Sequence, residues 1–278
     1  MLLKASPHTL YGLGVGPGDP ELITVKALKI LQAAPVVAFP AGKSGNPGVA
    51  ERIIQPWLSP DQTRLPLAFP YVLDEQTLAA AWQKAAARVL PHLQTGNVAF
   101  ACEGDVSFYG TFTYLAQYVQ KLDTKVAIRA IAGISSPMAA AAAARIPLTC
   151  QSDKLAILPA LYSFNQSFNQ SPSTSELSAS EPSASEPSAS DQTNPSHKSN
   201  QLEAALEWAE VIVLMKVGSV YSQVWQTLQR HHLLEKSIVV SNATRPEENI
   251  WIGLQDHPNL QLPYFSLLIV QPAKRTLM

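Results

Sequence analysis

Short runs of consecutive apolar residues alternate along this chain with longer stretches in which apolar positions recur every three or four residues. The runs at Thr9 to Val15, Val36 to Phe39, Val98 to Cys102, Val126 to Ala130, Leu155 to Leu158, Val211 to Met215 and Ile238 to Val240 predict buried strands. Ile250 to Leu254 and Phe265 to Val270 read as closing strands. Between them, Leu22, Val25, Leu28 and Leu31 mark a helix, with Asp19 as its N-cap and Pro20 at its first position. Further helices are predicted over Asp74 to Leu93 (stopped by Gly96), Thr111 to Leu122, Ser135 to Arg145, Leu202 to Glu210 and Val220 to His231. This alternation predicts an α/β protein. A boundary near 122–125 divides it into two α/β domains of similar size, 1–122 and 123–278.

One segment breaks the pattern. Residues 163–200 are dominated by Ser, Pro, Asn and Glu, with a doubled Ser-Phe-Asn-Gln and a tandem Ser-Ala-Ser-Glu-Pro. Such a composition offers too little apolar surface to offset the entropy of ordering the chain. It is expected to be a disordered insertion at a surface connection of the second domain.

Charge narrows the function classes. Lys and Arg number 20 against 21 Asp and Glu, and the basic residues are not clustered, so no nucleic-acid partner is expected. Two cysteines, Cys102 and Cys150, make no disulfide framework, which suits a reducing cytoplasm. The start MLLKASPHTLYGLG has no apolar core followed by a cleavage site, and no run approaches the length of a membrane span. A soluble cytoplasmic protein is expected.

Three loops that follow strands carry the candidate chemistry. The first, Gly12-Leu-Gly14-Val-Gly16-Pro17-Gly18-Asp19, imitates a dinucleotide fingerprint but has Pro17 or Asp19 where the final glycine belongs. The second strand ends in Phe39-Pro40, with no acid for a ribose, so NAD is excluded. Gly42-Lys43-Ser44 lacks the earlier glycine of a phosphate loop, where Val37 stands. What remains is backbone free to approach a ligand or to turn with positive φ, or a purely structural turn. The second loop, Glu103-Gly104-Asp105-Val106-Ser107-Phe108-Tyr109-Gly110, offers two carboxylates and two aromatic rings. A sulfonium cation suits such surroundings, and Asp105 as a plain turn residue is the alternative. The third, Ala132-Gly133-Ile134-Ser135-Ser136-Pro137, opens a helix. Ser135 or Ser136 either caps it or presents hydroxyls and amides to a carboxylate or ribose. The six histidines lack metal-ligand spacing, no nucleophile stands beside a base, and Cys102 reads as core.

Taken in order, YGLGVGPGDPELITVKAL (11–28), GDVSFYGTFTYL (104–115), AGISSPMAAAAAARIPL (132–148), VIVLMKVG (211–218) and NATRPEENI (242–250) resemble the tetrapyrrole methylase family. The resemblance covers everything but the insertion. It implies two α/β domains with S-adenosylmethionine in the cleft between them, a small-molecule tetrapyrrole substrate and a homodimer. It assigns the cofactor to Pro17, Gly104, Asp105, Val106, Phe108, Tyr109, Ser135, Ser136, Met215, Asn242, Ala243 and Thr244. Val106 and Ala132 stand where the family usually has proline, which relaxes two turns without removing a polar group. The stretch PVVAFPAGKSGNPGVAERIIQPW (35–57), LMKVGSVYSQVWQTL and Thr244-Arg-Pro-Glu-Glu248 lean toward the family's precorrin-2 branch, implying methylation of C20 of that ring or its cobalt form.

In-line methyl transfer from a sulfonium needs positioning more than a protein nucleophile, which matches the missing triad and metal. No catalytic base is singled out. A ring with many carboxylates makes Lys43, Arg52 and Arg245 candidate substrate contacts, against ordinary surface charge. The rival readings are a family methyltransferase acting at another ring carbon, and a non-catalytic tetrapyrrole or nucleotide binder.

Overall fold

Five parallel strands make the first sheet, in the order β3-β2-β4-β1-β5. They are β1 (Thr9–Gly14), β2 (Val36–Pro40), β3 (Thr63–Leu67), β4 (Val98–Cys102) and β5 (Ala127–Ile131). Every residue of β4 is buried, and its side chains divide by alternation between two cores. Val98, Phe100 and Cys102 pack under α3 (Glu75–Leu93) and α4 (Phe112–Leu122), with Ala85, Val89, Leu115 and Val119. Ala99 and Ala101 face α1 (Val25–Ala33) and α2 (Val49–Ile54), with Leu31, Ile53 and Ile54. A strand buried on both faces is a continuous apolar run, which is how β4 reads in the sequence. Burial pushes the Cys102 thiol up to about 11, so it is core.

This computed structural model describes residues 8–42, 46–70, 74–161 and 201–271. Lys43 and the 163–200 segment lie outside them. The chain divides into two compact units, one of residues 1–148 with 240–249, the other of 149–239 with 250–276. The first unit thus runs past 122, because β5 pairs with β1 from Thr9↔Ala127 to Leu13↔Ile131 and α5 (Ser136–Ala143) follows it.

Two further departures have local causes. Asp19 does not begin the long helix. Its carboxylate accepts from Glu21 N at 2.8 Å and caps a single 3-10 turn, Pro20–Leu22. The helix proper starts after Thr24, whose Oγ1 accepts from Ala27 N at 3.2 Å. Strand β3 was not expected. It is an edge strand, it alternates exposed and buried residues, and Pro66 interrupts it. The Pro66 carbonyl accepts from Arg88 of α3 at 2.6 Å.

The second sheet has the order β6-β7-β10-β8-β9, with β6 (Leu155–Pro159), β7 (Val211–Met215), β8 (Ser237–Ser241), β9 (Asn249–Ile252) and β10 (Ser266–Val270). β7 pairs parallel with β6 and antiparallel with β10. Helices α6 (Gln201–Leu206) and α7 (Tyr221–Arg230) join this unit's core through Leu202, Ala205, Val224 and Leu228. Trp225 Nε1 donates to Leu254 O and the Tyr221 hydroxyl to His257 O, both at 2.7 Å.

Candidate functional site

In the middle of the first sheet, neighbouring strands send the chain in opposite directions. β1 leads through α1 to β2 on one side, and β4 leads through α4 to β5 on the other. In parallel sheets a crevice opens beyond the C-terminal ends of such a pair, and ligands bind there. The first and second loops meet at that point. Gly16 N donates to Gly104 O at 3.2 Å and Gly104 N to Gly16 O at 2.8 Å, while Val15 N donates to Cys102 O at 3.0 Å. Both glycines take positive φ, +86° and +70°. That pairing is the reason the two loops need glycine at these positions.

Asp105 ties the third loop to the second. One carboxylate oxygen accepts from Ser107 N and the other from Gly133 N, each at 2.8 Å. Partial burial works against ionisation, yet these bonds, with one from the Ser107 hydroxyl, hold the Asp105 carboxyl below the usual carboxylate range. Asp105 is therefore a turn residue that also sets the spacing of two site loops. Replacing it with Asn leaves one oxygen for two N–H donors. We expect Asp105→Asn to lower stability by about 1–2 kcal/mol in a denaturant titration, at neutral pH where the carboxylate is fully ionised.

The second and third loops lie in contact at Gly104 without a clash. A Cβ at Gly104 would meet nothing nearer than Ile134 O at 3.9 Å. Tyr109, later in the second loop, is half exposed and in the left-handed region (φ +51°), with Phe108 against its ring at 4.8 Å. Val106 is buried and anchors the loop to the core. Ser135 occupies the N-cap position of α5, but its hydroxyl donates to Met138 Sδ at 2.8 Å and caps no backbone amide. Ser136 is the first residue of that helix. An exposed aromatic face and a helix start without a side-chain cap, on loops whose glycines let backbone approach closely, suit a nucleoside-like ligand.

The segment from Asn242 returns to this loop system. Asp19 N donates to Thr244 Oγ1 at 3.1 Å, and Thr244 N donates to Glu248 Oε2 at 2.6 Å. Ala243 is buried. Asn242 and Thr244 both have positive φ, +50° and +66°, which is costly for a β-branched residue such as Thr244. Met215 belongs to the second unit, at the C-terminal end of β7, between Pro159 and Leu267.

The candidate substrate cations fall out differently. Arg52 is exposed on α2. Arg245 is not a surface charge. Its guanidinium donates to Glu103 Oε1 at 2.6 Å and, through Nε and one terminal nitrogen, to Pro17 O at 3.1 Å. Burial drives the Glu103 carboxyl up to about 7 despite the neighbouring Arg245 and Arg52, and depresses the Arg245 guanidinium. Sequence reasoning noticed Glu103 only as one of two carboxylates. Its partner lies 142 positions away, and no short-range spacing connects them. Among the described residues, no three His, Cys, Asp or Glu side chains group to hold a metal, and no helix is long and apolar enough to cross a membrane.

The family model for Tetrapyrrole (Corrin/Porphyrin) Methylases matches residues 9–257, and the chain belongs to that family. It is 28% identical over 264 residues to the cobalt-precorrin-2 C(20)-methyltransferase of Salmonella typhimurium, over 94% of this chain and 95% of the relative. It is 37% identical over 268 residues to the probable cobalt-precorrin-2 C(20)-methyltransferase of Methanocaldococcus jannaschii, over 96% and 97% of the two chains. A uroporphyrin-III C-methyl transferase from Thermus thermophilus, solved as a complex with S-adenyl homocysteine, has the same fold. Its TM-score is 0.58 at 16% identity, over 95% of this chain and 97% of that one.

Proposed function

We propose that the protein transfers a methyl group from S-adenosylmethionine to C20 of precorrin-2 or cobalt-precorrin-2, a step of cobalamin biosynthesis. The observation that carries this reading is the meeting of three glycine loops at the switch point of the first sheet, in a chain of the tetrapyrrole methylase family. The cofactor supplies an electrophilic methyl on a sulfonium. The residues suited to hold it in the first unit are Pro17, Gly104, Asp105, Val106, Phe108, Tyr109, Ser135, Ser136 and Asn242 to Thr244.

The glycine backbones allow close approach, the Tyr109 face favours a cation, and the amides at the start of α5 favour a carboxylate or ribose oxygen. Holding reactants aligned replaces the need for a nucleophile on the protein. Arg52 and Lys43 remain the candidates for the ring's carboxylates. A homodimer and a cytoplasmic location belong to the same reading.

The test is an assay with S-adenosylmethionine and, separately, precorrin-2 and its cobalt form, with products identified by mass and by NMR of the ring positions. One added methyl at C20 is expected. A methyl at another ring carbon would move the assignment elsewhere in the family, and binding of S-adenosylhomocysteine without turnover on either ring would remove it.

A further inference from the structure

We propose that Arg245 and Glu103 form a positioning pair that fixes the glycine-rich first loop against the second loop and so sets the affinity for the cofactor. The inference rests on the cofactor reading above. Its grounds are geometric. One guanidinium reaches both loops at once, the first through the Pro17 carbonyl and the second through Glu103. The Arg245 side chain is 10% exposed, so it is held rather than solvated. Its stem lies flat on the first loop, since a Cβ at Gly18 would come within 2.4 Å of Arg245 Cγ. The neighbouring Thr244 adds the bond from Asp19 N and holds a backbone conformation that a β-branched residue resists. Strain of that kind persists only where surrounding contacts impose it: here Thr244 Oγ1 and the Arg245 guanidinium are both tied to the first loop, and Glu248 Oε2 accepts from Thr244 N.

The charges facing the pair come from three elements. Glu103 is faced by Arg245 from the return segment and by Arg52 from α2, with the Cys102 thiol on its own strand. Arg245 is faced by Glu103, Arg52 and Glu247. Protonation of Glu103 removes the ionised partner of Arg245, which weakens the tie between the loops. Cofactor affinity should therefore fall as pH drops through about 7. The sign for stability is opposite. Burial raises the folded-state pKa of Glu103 above its unfolded value, so its contribution is full below the unfolded pKa and is lost as pH rises through about 7. A residue that only packs would not move the two properties in opposite directions.

The experiment is calorimetric titration of the full chain with S-adenosylhomocysteine across about pH 6 to 8.5, with thermal unfolding measured in parallel. The variants are Glu103→Gln, which keeps the shape and a hydrogen-bond acceptor, and Arg245→Lys, which keeps the charge but loses the forked contact. We expect the unaltered protein to bind more weakly at the acid end. Glu103→Gln should bind roughly 10- to 100-fold more weakly than the unaltered protein at the alkaline end, with little dependence on pH. Arg245→Lys should recover only part of the affinity lost in an Arg245→Ala variant. Equal affinity and an unchanged pH profile in Glu103→Gln, in a protein that does bind the ligand, would overturn the inference. Absence of binding by the unaltered protein removes the cofactor reading itself, and the inference with it.

Discussion

Gly14→Ala is expected to lose S-adenosylhomocysteine binding by a factor of about 100 or more and to lower the stability of the first unit by about 3 kcal/mol. At this position three backbones touch. A Cβ at Gly14 would lie 2.5 Å from Gly133 N, 2.7 Å from Gly133 Cα and 2.9 Å from Gly104 O. Flexible side chains often give way to an added methyl, but here every atom in the way is main chain. Gly104 is pinned by its two bonds to Gly16, and Gly133 by its bond to Asp105. The methyl must therefore push the first loop away from the second and third together, at the place where the ligand is proposed to bind. Titration calorimetry and a denaturant midpoint measure the two effects. Near-normal binding in Gly14→Ala would mean that the ligand sits elsewhere.

Phe100→Ala is the largest stability effect we expect, about 3–5 kcal/mol, read as a fall of roughly 10 °C in the thermal transition of the first unit. Phe100 is fully buried at the centre of β4, with the Phe112 ring stacked on it and the Phe69 ring edge-on, each 6.2 Å away between centroids. Phe69 also meets Trp82 of α3 at 4.7 Å. Removing Phe100 takes the common partner from this cluster, and the remaining rings are too large and too fixed to collapse into the space. Against a total stability of about 5–15 kcal/mol, this change approaches the threshold for unfolding. A denaturation profile indistinguishable from the unaltered protein's would show that the aromatic cluster closes the cavity at no cost.

These two residues illustrate how far the sequence was legible. The strand around Phe100 is a fully apolar five-residue run between turn signals, and its ends were readable to the residue. Helix α3 was equally clear, because Asp74 supplies a cap that accepts from Thr77 N at 2.7 Å. Edge strand β3 was not legible, since its exposed alternation and Pro66 resemble a loop. The short helix α2 was hidden too: six residues between Pro47 and Pro56 carry little periodicity. Nothing local tells a strand which sheet it will join, so β5's place beside β1 was not legible. β5 pairs with β1, more than a hundred positions earlier.

Within the site, the three loops were marked by glycine spacing, but their mutual contacts were not. Asp105 to Gly133 and Glu103 to Arg245 are long-range pairings. The sequence named the groups and left their partners to be set by the order of strands in the sheet. Arg245 in particular reads as surface charge until the fold buries it.

Edge strand β3 of the first sheet carries one more consequence. The N–H and C=O of a strand residue point the same way, and the Pro66 carbonyl is turned to Arg88 and away from β2. Pro66 has no N–H to offer on that outward side, and its carbonyl is already occupied. A foreign strand laid along β3 therefore finds neither donor nor vacant acceptor at the fourth residue of five, and its ladder breaks there. On the β3 side, one imino acid and one arginine thus interrupt the rim that a parallel sheet leaves open to templated growth.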